Sequence, residues 1–141
     1  MPKSAETILV AAEWVRKAEH DFKSAVHLLK IERECPTDVV CFHAQQCVEK
    51  YMKAILVLNN IDFTRTHDVE ALVNLLPRGV HPNLASDEQR RLTSYATVAR
   101  YPGSYEPISV TEARQAVRIA RRVRQQLRKV LPKEVVRQRR R

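Results

Sequence analysis

The chain has 141 residues, 44% of them apolar, with a formal net charge of +9. That length supports one domain with a single core and excludes two, while the apolar content excludes a disordered polar chain. With only 2 glycines and its prolines gathered between periodic segments, the chain reads as helices joined by short breaks and excludes a β-sandwich.

A first helix is expected from about Ser4 to Glu32. Ala11, Trp14, Val15, Ala18, Phe22, Ala25 and Leu29 recur at the spacing of one helix face. Ser4 is a suitable N-cap, and Pro36 breaks the chain after Cys35. A second helix starts near Thr37 or Asp38 and runs to about Asn59. Val40, Ala44, Cys47, Tyr51, Ala54 and Leu58 form its core stripe, widened by Val48 and Ile55. Asn59 and Asn60 tolerate the left-handed conformation that ends helices. His67 and Asp68 open a short third helix through Leu76, with Val69, Leu72, Val73 and Leu76 inward, and Pro77 stops it.

A loop over Arg78–Ala85 leads into a fourth helix from about Ser86 to Val98, with Leu92, Tyr95, Ala96 and Ala99 facing the bundle. RYPGSYEP at Arg100–Pro107 is irregular. Ser109 and Glu112 form a capping box for the last helix. Its inward stripe is Ala113, Ala116, Val117, Ala120, Val123, Leu127 and Leu131, and Pro132 ends it. The expected fold is therefore all-α: an antiparallel up-and-down bundle of four long helices plus one short helix over residues 1–132. Residues 133–141 are read as a frayed basic tail.

No run of about 18 apolar residues is present to cross a membrane. The N-terminal stretch MPKSAETILVAAEW lacks the layout of a secretory signal, so the cytosol is the expected compartment. Cys35, Cys41 and Cys47 lack the close pairing of a zinc site, and Cys47 falls inside an apolar stripe as a small buried hydrophobe. No Gly-rich phosphate loop, HExxH or nucleophile elbow occurs. No metal or cofactor is expected.

Charge is unevenly distributed. Residues 1–99 carry 12 Lys/Arg and 13 Asp/Glu, whereas residues 100–141 carry 13 Lys/Arg against Glu106, Glu112 and Glu134. The basic character therefore belongs to the last third, with Arg114, Arg118, Arg121, Arg122, Gln125, Arg128 and Lys129 opposite the apolar stripe of the last helix. Arginine's planar fork suits phosphate, so this face is a candidate surface for a polyanion or an acidic partner. A solubilising face is the alternative. On the second helix Gln46, Glu49, Lys50 and Lys53 share about a third of the circumference. They read either as a solvated salt-bridge ladder or as a polar patch for an anion or partner chain, which His43 could join. Arg65 and His67 precede the third helix as possible donors to such a ligand, and Thr66 or Asp68 could instead simply cap it. Arg100 and Tyr101 lie where a helix meets a loop, a place where function concentrates, although Tyr101 could equally pack that loop.

Several of these pieces, in order, resemble the HEPN family (higher eukaryotes and prokaryotes nucleotide-binding), in its small stand-alone prokaryotic and archaeal branch. They are Trp14, Ala18 and Asp21; HAQQCVEKYMKAIL at His43–Leu56; RTHDVEALVNLL at Arg65–Leu76; and ARYPG at Ala99–Gly103. The resemblance implies a helical bundle, commonly a homodimer, often paired with a minimal nucleotidyltransferase in a toxin–antitoxin-like system. Many such proteins resemble metal-independent ribonucleases that use an Arg and a His with four to six residues between them. No Arg in this chain is followed by His at that spacing. The expected function is a noncatalytic module that binds nucleotide, RNA or a protein partner, with Gln46, Glu49, Lys50, Lys53, Arg65, His67, Arg100 and Tyr101 as its site. The alternatives are a ribonuclease using His67 and Arg100, and a homodimeric interaction protein whose polar second-helix face is the seam.

Overall fold

The computed structural model describes residues 3–98 and 106–137. These residues form six helices: α1 (Ala5–Leu29), α2 (Thr37–Leu58), α3 (Val69–Leu75), α4 (Ser86–Val98), α5 (Val110–Val130) and α6 (Lys133–Val136). The described residues hold no strand, so the all-α expectation stands.

Two hydrogen bonds fix how α2 and α5 run. Thr37 Oγ1 donates to the Ile108 carbonyl near both helix starts, and Arg128 Nη1 donates to Tyr51 Oη much further along each. The two helices are therefore parallel. Tyr95 meets Glu112 and Arg122 meets Glu88, so α4 runs opposite to α5. With α1 reversed on α2 through a short connection, the order is up, down, up, down. The expected topology follows.

Local signals set the boundaries. Ser4 Oγ accepts from the Thr7 amide and Asp68 from the Ala71 amide, each satisfying an otherwise unpaired first-turn donor. Asn60 takes the left-handed φ of 54° just past α2. α1 ends at Leu29 and not near Glu32, because the reversal into α2 occupies the residues before Pro36, with Glu34 at φ 53°. α3 begins at Val69; Asp68 is its cap, so His67 stays in the preceding loop. Ser109 caps α5, but Glu112 does not return the bond as a full capping box requires. Its carboxylate accepts instead from the Tyr95 hydroxyl.

The inward stripes read from the sequence are buried on α2, α3 and α5. On α4, Leu92, Tyr95 and Ala96 are buried, while Ala99 lies outside the described residues. On α1 the small residues Ala11, Val15, Ala18 and Ala25 are buried, and Trp14, Phe22 and Leu29 pack at the margin. The segment expected as a frayed tail begins with α6, which packs on α1 and buries Val135 to 2% exposure. An apolar pair directly after the Pro132 break gives that turn something to bury. α2 is the central element, in contact with α1, α3, α4 and α5. Fifteen of its 22 residues are buried, including Gln45, Gln46, Glu49 and Lys53.

A buried carboxylate network as the candidate functional site

The polar face of α2 is not a solvated ladder. Glu49 is 2% exposed and accepts three hydrogen bonds. Its Oε1 receives Gln45 Nε2 at 2.9 Å and His67 Nδ1 at 2.8 Å, and its Oε2 receives Lys53 Nζ at 2.9 Å. Gln46 Nε2 donates to Gln45 Oε1 at 2.7 Å, which fixes the Gln45 amide so that its NH2 faces Glu49. The Lys53 ammonium also lies 5.3 Å from the Trp14 ring centroid and 5.6 Å from that of Phe63. The two rings meet edge to face at 6.4 Å. Burying such charges is costly unless every group is paired, and here each one is. Since a carboxylate only accepts, His67 donates from Nδ1, and its side chain is 49% exposed.

A second carboxylate repeats the pattern on the α1 side. Asp21 of α1 accepts from His43 Nδ1 at 2.7 Å through Oδ1 and from Lys50 Nζ at 2.6 Å through Oδ2. A third joins α1, α2 and α5. Arg124 makes two 2.6 Å bonds to Glu19, Tyr51 Oη donates to the same carboxylate, and Arg128 stands 3.4 Å away. Burial alone would raise the Glu19 pKa, but the bonds from Arg124 and Tyr51 and the nearby arginine charges outweigh it and hold it below the usual carboxylate range. Burial, and then the bond to Glu19, push the Tyr51 hydroxyl up.

Sequence comparison bears on this arrangement directly. The HEPN domain family profile matches residues 11–130, a span that contains all three carboxylate clusters. The chain belongs to the HEPN domain family. It is 43% identical over 65 residues to a Methanocaldococcus jannaschii protein named "Putative toxin MJ1304". That match spans 46% of this chain and 41% of the relative, less than half of either. Among solved structures, TT1696 from Thermus thermophilus superposes with a TM-score of 0.69 at 23% identity, over 86% of this chain and 98% of that one. ST0689, described as an archaeal HEPN homologue, superposes with a TM-score of 0.61 at 24% identity, over 85% and 96%. At those identities the two structures establish the shared fold alone.

Within this HEPN chain the residues expected to form one ligand patch divide. Gln46, Glu49 and Lys53 are internally satisfied and nearly closed to solvent. Lys50 turns to α1, and its side chain is 20% exposed. His67 and Arg65 are the outward groups, while Thr66 Oγ1 accepts from the Asp68 amide. Arg100 and Tyr101 lie outside the described residues.

The basic face of α5 divides as well. Arg114, Arg118, Arg121 and Lys129 are exposed, and none makes an ion pair among the described residues. Arg121 lies over the Phe22 ring at 5.5 Å. Arg122 instead gives both oxygens of Glu88 a hydrogen bond, and Arg128 is held at Tyr51 and Glu19. The face lacks carboxylates along its own sequence, yet α1 and α4 supply them in space. Sequence reasoning missed Gln45, Glu19 and Arg124. Arg124 stands where the apolar stripe meets the arginine face, within reach of Glu19 on α1. The described residues hold no group of three or more His, Cys, Asp or Glu able to bind a metal. No helix among them is long and apolar enough to cross a membrane.

Proposed function

We propose that this HEPN protein is a noncatalytic RNA-binding module that grips phosphates with α5 and works within a toxin–antitoxin-type pair. The observation that carries this reading is the row Arg114, Arg118, Arg121 and Lys129, exposed and without carboxylate partners among the described residues. At 1.5 Å rise per residue, steps of four, three and eight residues place the cations roughly 6, 4.5 and 12 Å apart, and the row runs roughly 22 Å along the helix. Unpaired arginines in such a row neutralise successive phosphates and release counterions. The relative named as a toxin supports the setting. A nucleotidyltransferase partner and a homodimer belong to this reading as its expected context. The absence of an Arg and a His at the ribonuclease spacing supports the noncatalytic part.

One observation favours a second reading. His67 is oriented through Nδ1 by a buried carboxylate while its side chain is half exposed, the arrangement of a general acid or base. A single experiment separates the two. Labelled RNA is titrated with the protein across a salt series, and the same samples are run on a denaturing gel. Intact RNA is expected, with binding that weakens as salt rises. The R114Q/R118Q/R121Q protein should lose about 2 from the log–log salt slope, at about 0.7 per phosphate for single strands. An unchanged slope in that variant overturns the α5 reading. RNA cleavage that disappears in His67→Gln establishes the second.

A further inference from the structure

α2 carries two clusters of one design, each a carboxylate holding a histidine Nδ1 and a lysine ammonium. They differ in exposure. At Glu49, Lys53 is 8% exposed and flanked by the rings of Trp14 and Phe63. At Asp21, the carboxylate itself is only 10% exposed, but Lys50 is 20% and His43 26% exposed. In the first cluster the lysine is closed off and only His67, at 49% exposure, reaches solvent, whereas in the second the lysine and the histidine are both partly exposed.

We propose that His43 and Lys50, held by Asp21, form a subsite for a small phosphate-type oxyanion where α1 meets α2. A bare aspartate would repel an anion. Here Oδ1 and Oδ2 are each occupied, and the Lys50 charge offsets the carboxylate. Asp21 takes one of the three ammonium hydrogens, leaving two. Because Nδ1 is committed to Asp21, the free imidazole edge is Nε2, which becomes a donor when the ring is protonated. The trio then carries a net charge of +1, with two donors on side chains fixed by one buried group. Among the described residues, the charged groups bonded in this cluster are Asp21 from α1 and Lys50 from the same helix as His43. Phe42 meets the ring edge to face at 5.6 Å. Fixing the donors in advance lowers the entropy cost of binding. This inference is independent of the α5 surface.

Side-chain histidine NMR with inorganic phosphate as the probe tests it, with the protonation of the ring read from the same spectra. The His43 Nε2 resonance should shift and saturate with phosphate but not with chloride at matched ionic strength. Lys50→Gln should weaken the apparent affinity about tenfold, a modest loss for one charge-assisted hydrogen bond. Lys50→Arg should stay within about threefold, since it keeps the charge. The R114Q/R118Q/R121Q protein should retain the response, which separates this subsite from phosphate gathered by the basic face. Thermal melts identify any variant that fails to fold, and Lys50→Arg keeps the test open if Lys50→Gln does. A His43 response that never saturates, that chloride reproduces, or that survives in folded Lys50→Gln overturns the proposal.

Discussion

Replacing Glu49 by Gln preserves shape while removing the charge on which three donors converge. Gln45 Nε2, His67 Nδ1 and Lys53 Nζ all point at this carboxylate from 2.8 to 2.9 Å. An amide offers one oxygen and one NH2, so at least one donor must face another. If the NH2 faces Lys53, an ammonium at 8% exposure keeps only the two aromatic rings. Removing one partner of a buried ion pair costs about 3–5 kcal/mol. Summing the hydrogen bonds to a charged group, at about 1.5–3 kcal/mol each, would overshoot, because the three share one charge. The expected loss is therefore about 3–5 kcal/mol, a large part of the roughly 5–15 kcal/mol that holds a domain of this kind. Tm should fall by roughly 10–20 °C, at a few degrees per kcal/mol for this size. Lys53→Met places an unbranched thioether between Trp14 and Phe63 and leaves Glu49 with Gln45 and His67, at about 1–2 kcal/mol. In the double variant the unpaired ammonium is gone. Its cost should undercut the sum of the two singles by about 1.5 kcal/mol or more, since contacting residues couple by about 0.5–3 kcal/mol. Urea unfolding followed by circular dichroism, with m unchanged, measures all three. A Glu49→Gln loss below about 1 kcal/mol, or a double variant additive within about 0.5 kcal/mol, would refute the view that this network is one coupled, fully paired unit.

Two further outcomes follow from burial and charge. Burial, followed by the nearby Glu112 charge, pushes the Cys41 thiol up to about 12, and burial pushes Cys47 up as well, while Cys35 is half-buried. Native protein should therefore react with a thiol reagent at Cys35 alone, and at all three cysteines once unfolded; mass spectrometry of labelled peptides checks this, and rapid native labelling of Cys41 contradicts it. Glu19 has a depressed folded pKa because Arg124, Tyr51 and Arg128 outweigh its burial. As pH falls through the ordinary carboxylate value the unfolded chain takes up its proton first, so stability from Glu19 is complete above about pH 4.3 and is lost toward the lower folded value. Urea midpoints between neutral pH and about pH 3 should drop less steeply in Glu19→Gln than in the parent; parallel curves would remove Glu19 from the acid response.

The fold was legible because helices are encoded locally. The alternation that buries Val40, Ala44, Cys47 and Tyr51 on α2 or Ala113, Ala116 and Ala120 on α5 is visible in the chain itself. Caps at Ser4, Asp68 and Ser109 were equally readable, since each acts on an amide three residues ahead. The candidate site was legible only as a set of residue types. Gln46, Glu49, Lys50 and Lys53 share a helix face, but that periodicity leaves open whether a face meets water or another helix. α1, through Asp21 and Trp14, and the loop bearing Phe63 and His67 meet it, so a spacing that suits a solvated ladder became a buried network. The same limit hid the acidic partners of the basic face, which lie 34 residues away for Arg122 and 105 for Arg124.

By itself, then, the sequence determined that the chain forms a helical bundle, where its long helices begin, which stripes turn inward, and that its cations gather in the last third. These properties depend on interactions within a few residues, where helical geometry is fixed. Only the tertiary structure decided which charges are consumed and which are offered. Asp21 finds His43 and Lys50 across 22 and 29 residues, Glu49 finds His67 across 18, and Glu19 finds Arg124 across 105. Such pairings depend on helix crossing and depth of burial, and desolvation makes them strong only where water is excluded.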